Sequence, residues 1–174
     1  MASISPIQVP GTARPGGHYS QAIVHNGLVY VAGQLPVDMA TGKPLLGTVE
    51  EQTRRVLENM DQILRTAGSG LQHIVQVTAY ITKLDDWDAI NATYASIMGA
   101  HRPARAIVPV PELHYGVALE VTCIASVAPA RRRRTRGKTK APARRSAPPT
   151  KAARKSGKSG RGAKSTSSRR PRAR

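Results

Sequence analysis

The chain has 174 residues and a net charge of +17, and residues 131–174 account for the excess, with 19 Lys and Arg and no Asp or Glu. Residues 1–130 carry 8 basic and 10 acidic side chains, a net charge of −2 that is ordinary for a globular domain. Cys123 is the only cysteine, which excludes an intrachain disulfide, and the five His show no spacing typical of metal ligands. No apolar run reaches the length of a membrane span and no signal-peptide pattern opens the chain, so we expect a cytoplasmic protein without a metal site.

A β-hairpin is predicted after an irregular lead-in at residues 1–17, which are rich in Pro, Gly and Ser. Two runs of β-forming residues, 21–25 and 28–32, flank Asn26-Gly27. Asn-Gly between two such runs is the strongest short signal for a hairpin turn. We predict that Gly33 ends the second strand.

The first helix is predicted to begin at Thr48, where Thr48 and Glu51 form a capping box, and to end at Gly68. Between these ends, apolar residues recur at helical spacing and predict one buried stripe. They are Val56, Leu57, Met60, Ile63, Leu64 and Ala67.

A central strand and a second helix are predicted next. Residues 74–81 are β-branched and largely apolar, as is typical of a central strand, and Asp85 is predicted to cap a helix at about residues 86–98. Asn91 falls on the inward face of this helix, where it either ties down a neighbouring loop or belongs to a site. The predicted buried stripe consists of Trp87, Ile90, Tyr94, Ile97 and Met98.

The last two strands, predicted at residues 104–110 and 117–127, each place one charged residue among apolar ones. Arg105 shares a strand face with Ile107, and Glu120 stands alone in the final run. A buried charge is costly unless it is paired or functional. Arg105 and Glu120 therefore form either an ion pair or a site in which Arg105 holds a carboxylate and Glu120 handles a water.

The predicted fold class is α+β, in the element order β-β-α-β-α-β-β, with both helices on one face of a mixed sheet. Pro109 and Pro111 lack amide donors, which places the end of their strand at a sheet edge or bulge. No third helix is predicted to cover the other face, so we expect a homo-oligomer that packs sheet faces together.

The tail at residues 130–174 is predicted to be disordered, because its Arg, Lys, Ala, Pro, Ser and Gly residues cannot form a core. Its basic clusters are typical of nonspecific, salt-sensitive contact with the phosphates of DNA or RNA, which would associate the protein with a nucleoid or with RNA. A solubilising appendage or a contact with an acidic partner is the alternative. The candidate contact residues are Arg131, Arg132, Arg133, Arg134, Arg144 and Arg145.

Six short motifs give the chain a resemblance to a known family. They are GHYSQA (17–22), GQLPVD (33–38), EEQ (50–52), NATY (91–94), RPAR (102–105) and LEVTCIA (119–125). In this order they resemble the RidA/YjgF family of imine deaminases over about residues 16–128. The resemblance implies a chorismate-mutase-like fold, a homotrimer with active sites between subunits, and no cofactor.

The resemblance also implies an activity. Family members hydrolyse reactive enamines and imines, such as 2-aminoacrylate, to 2-keto acids and ammonia, so a 2-iminobutanoate/2-iminopropanoate deaminase-like hydrolase is expected here. Arg105 matches the arginine that forks the substrate carboxylate, and Glu120 matches the glutamate that positions or activates water. Tyr19 and Asn91 match residues that line the site, which favours a site role for Asn91.

The sequence departs from the family pattern near the expected site. Ala32 and Ile107 stand where the family often has Ser and Cys, which makes the predicted substrate cleft more apolar, and His18 replaces a Pro. Two other functions stay open. One is a nucleic-acid-associated protein, endoribonuclease or translation inhibitor that displays basic tails on a trimeric scaffold, and the other is a small-ligand sensor without turnover.

Overall fold

The computed structural model of the chain describes residues 3–128, which form one six-stranded sheet with two helices on one face. The strands are β1 (Ser5–Ile7), β2 (Ala22–His25), β3 (Leu28–Gln34), β4 (Ile74–Ile81), β5 (Ala104–Pro109) and β6 (Leu119–Ser126), and the helices are α1 (Val49–Thr66) and α2 (Trp87–Met98). Their order across the sheet is β1-β2-β3-β6-β4-β5. Only β4 and β5 run parallel, so the predicted mixed sheet is confirmed.

The lead-in prediction was wrong at residues 5–7, because β1 pairs there with β2. Pro6 lies in the middle of β1, and a proline is tolerated because this strand is at the sheet edge and pairs on one side only. A three-residue strand containing proline has no alternating apolar pattern, so the sequence does not reveal it.

The predicted hairpin is confirmed, since β2 and β3 pair directly across Asn26 and Gly27. Both turn residues have positive φ, 50° and 76°, as the tight turn that suits twisted strands requires. The second strand does not end at Gly33 but runs on to Gln34. The pairing of β3 with β6 shifts between Val31 and Gln34, which marks a β-bulge at the two residues between them.

The first helix begins and ends as predicted. The Thr48 side chain accepts a hydrogen bond from the Glu51 amide, and the Glu51 carboxylate accepts one from the Thr48 amide. Gly68 follows the helix with φ 75°. Five of the six predicted stripe residues are fully buried against the sheet, and Ala67 packs at the margin of the core.

The start of α2 differs from the prediction. A 3-10 turn at Leu84–Asp86 precedes the helix, so Asp85 lies inside the turn rather than at the cap, and Asp86 makes no side-chain cap hydrogen bond. Ile90 and Met98 are buried as predicted, whereas Trp87 is 40% exposed. Neither helix within residues 3–128 is long and apolar enough to cross a membrane.

The final strand shows how the sheet separates its two faces. Residues Leu119, Val121, Cys123 and Ala125 of β6 are buried under the helices, and the alternate residues point to the opposite face. The described helices leave that opposite face open, so the expectation that another copy of the chain covers it stays a prediction. Strand β5 lies at the sheet edge, which confirms the inference from Pro109 and Pro111.

Candidate active site

Arg105 lies on β5 and points towards the helices. Its register partner on the parallel strand β4 is Val77, a core residue, so the two side chains share the helix-bearing face. The guanidinium Nη2 donates a hydrogen bond of 2.7 Å to Oδ1 of Asn91 on α2. Asn91 therefore holds the arginine rather than a loop, and its place in a substrate site stays a prediction.

Two aromatic rings of α2 flank the same guanidinium. Its central carbon lies 4.7 Å from the ring centre of Tyr94 and 5.4 Å from that of Trp87. The spacing of Trp87, Asn91 and Tyr94 along the helix puts all three side chains on one face. Sequence reasoning assigned the two aromatic residues to the core only. The signal that could have corrected this was their position four residues before and three residues after a polar Asn91.

No acidic side chain neutralises Arg105 within the described part of the chain. The ion pairs among residues 3–128 are Arg55–Glu58 and Arg65–Asp61. A partly buried guanidinium that has an amide and two rings as neighbours, but no carboxylate, is suited to bind an anion.

Glu120 lies on β6 and faces the other side of the sheet. It stands between the buried Leu119 and Val121, and its register partner on β4 is Tyr80. Its carboxylate packs directly on the α-carbon of Gly33, in the space that a β-carbon would occupy. Gly33 is thus needed for close approach, because any larger residue would displace the carboxylate.

The Glu120 carboxylate packs on the β-bulge of β3, and this contact is called the seat of Glu120. Ala32 and Gly33 are the bulged residues, and their carbonyl groups accept hydrogen bonds of 3.0 and 3.3 Å from the side-chain amide of Gln34. Ala32 is anchored in turn by its amide, which donates to the carbonyl of Gln21 at 3.0 Å. Bulges commonly occur beside active sites, where they re-aim side chains.

Tyr19 lines an open cavity of about 480 Å³ that also includes Gly33 in its wall. The tyrosine side chain is 57% exposed. Arg14, His114 and Tyr115 lie in the same wall, whereas Arg105 and Glu120 do not. The cavity therefore adjoins the seat of Glu120 but is separate from the arginine.

The predicted site residues thus fall into two groups. Arg105, Asn91 and Ile107 lie on the helix-bearing face, where Ile107 and Arg105 border a void of about 10 Å³. Glu120, Ala32 and Tyr19 belong to the region around Gly33. Because Arg105 and Glu120 point to opposite faces, they do not pair within one chain, and the ion-pair hypothesis fails at that level.

Burial sets the acid–base behaviour of two groups near the core. It raises the pKa of the buried Cys123 thiol to about 12, so the thiol stays protonated at neutral pH. Burial also raises the pKa of the Tyr94 hydroxyl, although the nearby Arg105 opposes the shift. No three His, Cys, Asp or Glu side chains of residues 3–128 lie together in a way that could hold a metal ion.

Comparison with known proteins identifies the family. The sequence profile described as endoribonuclease L-PSP matches residues 11–127, more than half of the chain. The chain belongs to this family. It includes the RidA and YjgF proteins, whose solved structures share the fold, so the predicted RidA/YjgF fold class is confirmed.

Three relatives illustrate the similarity. A RutC family protein of Pyrococcus abyssi is 42% identical over 112 residues, which cover 64% of this chain and 88% of the relative. The chloroplastic reactive intermediate deaminase A of Arabidopsis thaliana is 38% identical over 111 residues, which cover 64% of this chain and 59% of the relative. The structure of E. coli TdcF with bound serine superimposes with a TM-score of 0.66 at 32% identity and covers 70% of this chain and 98% of TdcF.

Proposed function

We propose that the protein hydrolyses small 2-imino acids, and the enamines that tautomerise to them, to 2-keto acids and ammonia. The observation that carries this proposal is the guanidinium of Arg105, which is held by Asn91 and two aromatic rings and has no carboxylate partner among the described residues. The existence of a family relative named reactive intermediate deaminase A supports it.

The role of Arg105 is to hold the substrate carboxylate. A guanidinium presents a planar fork of donors that matches a carboxylate with two parallel hydrogen bonds. Asn91 occupies one Nη2 donor and fixes the plane of the fork, which leaves other donors for the ligand. Serine, the ligand of the E. coli TdcF structure, carries a carboxylate next to an amine-bearing carbon, as a 2-imino acid carries one next to its imine carbon.

The role of Glu120 is to activate water. The oxygen of water adds to the imine carbon while a proton passes to the carboxylate, and the electrons of the C=N double bond move to nitrogen. The proton then reaches the nitrogen, which gives an intermediate with a hydroxyl and an amino group on the same carbon. The hydroxyl proton passes through the carboxylate to the amino group, the C–N bond breaks to release ammonia, and the hydroxyl oxygen becomes the carbonyl oxygen of the keto acid. General-base help of this kind is typically worth about 10²–10⁴-fold.

The two residues act on one substrate only if they come from different copies of the chain. Within one copy Arg105 and Glu120 face opposite sides of the sheet. We therefore place each site between subunits of a homotrimer, where Arg105 and Asn91 of one copy meet Glu120 and Tyr19 of the next. This arrangement also covers the sheet face that the helices leave open.

Ala32 and Ile107 allow the substrate to carry a small apolar side chain. Both offer only carbon atoms, where the resemblance leads us to expect a hydroxyl and a thiol group. An apolar wall contributes favourable contacts to a methyl or ethyl group, so the imines of alanine and 2-aminobutanoate are suitable substrates.

The test compares Arg105→Ala with Arg102→Ala, a matched control that removes an exposed arginine three residues away. A 2-imino acid is generated in situ by an amino acid oxidase, and the surviving imine is trapped with semicarbazide. We expect the wild type and the control to lower the trapped imine equally, and Arg105→Ala to lose at least about 100-fold in rate, because the positioning of the reacting carbon is lost.

Equal turnover by Arg105→Ala and the wild type would contradict the proposal. If the wild type binds keto acids but forms no product, the protein is a ligand sensor. Binding is measured through Trp87, the only tryptophan of the chain, whose ring lies beside the guanidinium. Its fluorescence therefore reports on ligands at Arg105.

For the tail we propose nonspecific contact with nucleic acid. Its residues, including the clusters at 131–134 and 144–145, lie outside the described part of the chain, so the proposal rests on their charge alone. The full chain and a chain ending at Pro129 are compared for retention of DNA and of RNA across a salt series. We expect truncation to abolish retention and leave deaminase activity intact, whereas retention by the truncated chain would refute the role of the tail. Cleavage of the RNA during the same assay would support the endoribonuclease alternative.

A further inference from the structure

The 480 Å³ cavity beside Gly33 has a positively charged wall. Its lining includes Arg14 and His114 but no Asp or Glu. Arg14 is exposed and takes part in neither ion pair of residues 3–128. A cation in a concave wall without a neutralising carboxylate attracts anions, because the low-dielectric walls concentrate its field.

The loop that carries Arg14 is fixed by hydrogen bonds. The amide of Ala13, the preceding residue, donates to the carbonyl of Met39 at 2.8 Å. The buried side chain of Gln21 accepts from the amide of Val9 at 2.7 Å and donates to the hydroxyl of Thr12 at 3.1 Å. The backbone that precedes Arg14 is therefore held in place by hydrogen bonds, and the exposed Arg14 side chain can change its rotamer to meet a ligand.

The lining of the cavity also contains a backbone conformation that a tyrosine rarely adopts. Tyr115 has φ 65°, in the left-handed region, and its ring lies 3.8 Å from that of His114, centre to centre. Conformations of this kind occur preferentially at ligand sites, where the surrounding structure enforces them. Both residues of this turn line the cavity that Arg14 also lines.

The cavity has room for longer substrates in addition to the three- and four-carbon acids named above. Its volume of about 480 Å³ lies in the range of sites that enclose whole small molecules. We infer that the site favours 2-imino acids with a second carboxylate at the end of the side chain, and that Arg14 determines this specificity. The inference rests on the proposed function, in which Arg105 of a neighbouring copy holds the first carboxylate.

The test measures binding of two product keto acids of equal carbon number, 2-oxoglutarate and 2-oxopentanoate, which differ in a carboxylate against a methyl group. Dissociation constants are obtained from Trp87 fluorescence for the wild type, Arg14→Gln and the exposed control Arg102→Gln. We expect the wild type to bind 2-oxoglutarate about tenfold more tightly, as one charge-assisted pair provides. Arg14→Gln should abolish the preference and Arg102→Gln should keep it.

Hydrolysis of 2-iminopropanoate by the wild type is followed in parallel, which separates the two proposals. If this substrate is hydrolysed but the wild type binds both keto acids equally, or Arg14→Gln retains the preference, the inference about Arg14 is overturned. If 2-iminopropanoate is not hydrolysed and neither keto acid binds, the proposed function fails and the inference fails with it.

Discussion

Replacing Gly33 by alanine should disturb catalysis through the position of Glu120. A β-carbon at this position would lie 2.8 Å from Cδ of Glu120, and closer still to its Oε1. Carbon atoms in contact prefer about 3.5–4.0 Å, so the carboxylate has to retreat by about 1 Å. A misplacement of about 1 Å costs on the order of 10²-fold in rate, and complete loss of general-base help costs about 10²–10⁴-fold.

We therefore expect Gly33→Ala to lower kcat by about 100-fold while binding of 2-oxobutanoate, measured through Trp87 fluorescence, changes much less. Gly70→Ala is the control, because the atoms nearest to its β-carbon would be those at the end of the exposed Gln72 side chain. Gln72 precedes the start of β4, whereas Glu120 pairs with Tyr80 near the end of that strand. Thermal denaturation of both variants verifies that they fold. A kcat for Gly33→Ala within twofold of the wild-type value would refute the idea that catalysis depends on the position of the Glu120 carboxylate against Gly33.

Three further predictions concern other parts of the molecule. Asn91→Ala should weaken 2-oxobutanoate binding about tenfold, because a 2.7 Å charge-assisted hydrogen bond that orients Arg105 is lost. Asn91→Asp should weaken binding further, since the new carboxylate would pair with the arginine; an unchanged dissociation constant in either variant would refute that prediction. Cys123 should resist iodoacetamide at pH 8 in the native protein, because a pKa of about 12 leaves about 1 thiol in 10⁴ ionised. It should react once urea unfolds the chain, and mass spectrometry measures the labelled fraction in both states. Thr48→Ala should lower the free energy of unfolding by about 1 kcal/mol in urea titrations, because the helix loses its capping box, and an unchanged midpoint would contradict this.

Much of the fold follows from local signals in the sequence. Asn26-Gly27 specifies a hairpin through backbone conformation alone, and the Thr48–Glu51 capping box sets the start of a helix through its own hydrogen bonds. Both features depend on neighbours in the chain and not on distant contacts, so the sequence is sufficient to predict them. The edge position of β5 also follows from a local cause, the missing amide donors of Pro109 in the strand and Pro111 just after it.

The features that the sequence did not predict depend on contacts between distant segments of the chain. Strand β1 forms because β2 offers it a free edge, and the aromatic residues Trp87 and Tyr94 flank Arg105 because β5 happens to lie next to α2. The seat of Glu120 on Gly33 requires the register of β3 against β6, bulge included. Motif resemblance assigned the site residues without any of this geometry, which explains why it could not reveal that Arg105 and Glu120 face opposite sides of one sheet.

Co-expression of two inactive variants tests most directly whether sites are shared between copies. Arg105→Ala and Glu120→Gln, carrying different affinity tags, are each expected to be inactive alone, and assemblies that contain both are purified by the two tags in succession. In the proposed homotrimer, one of the three interfaces of every mixed assembly joins an intact arginine to an intact glutamate, so we predict about one third of the wild-type activity per trimer. Mixed trimers with no activity above that of the single variants would contradict the shared site and, with it, the proposed mechanism.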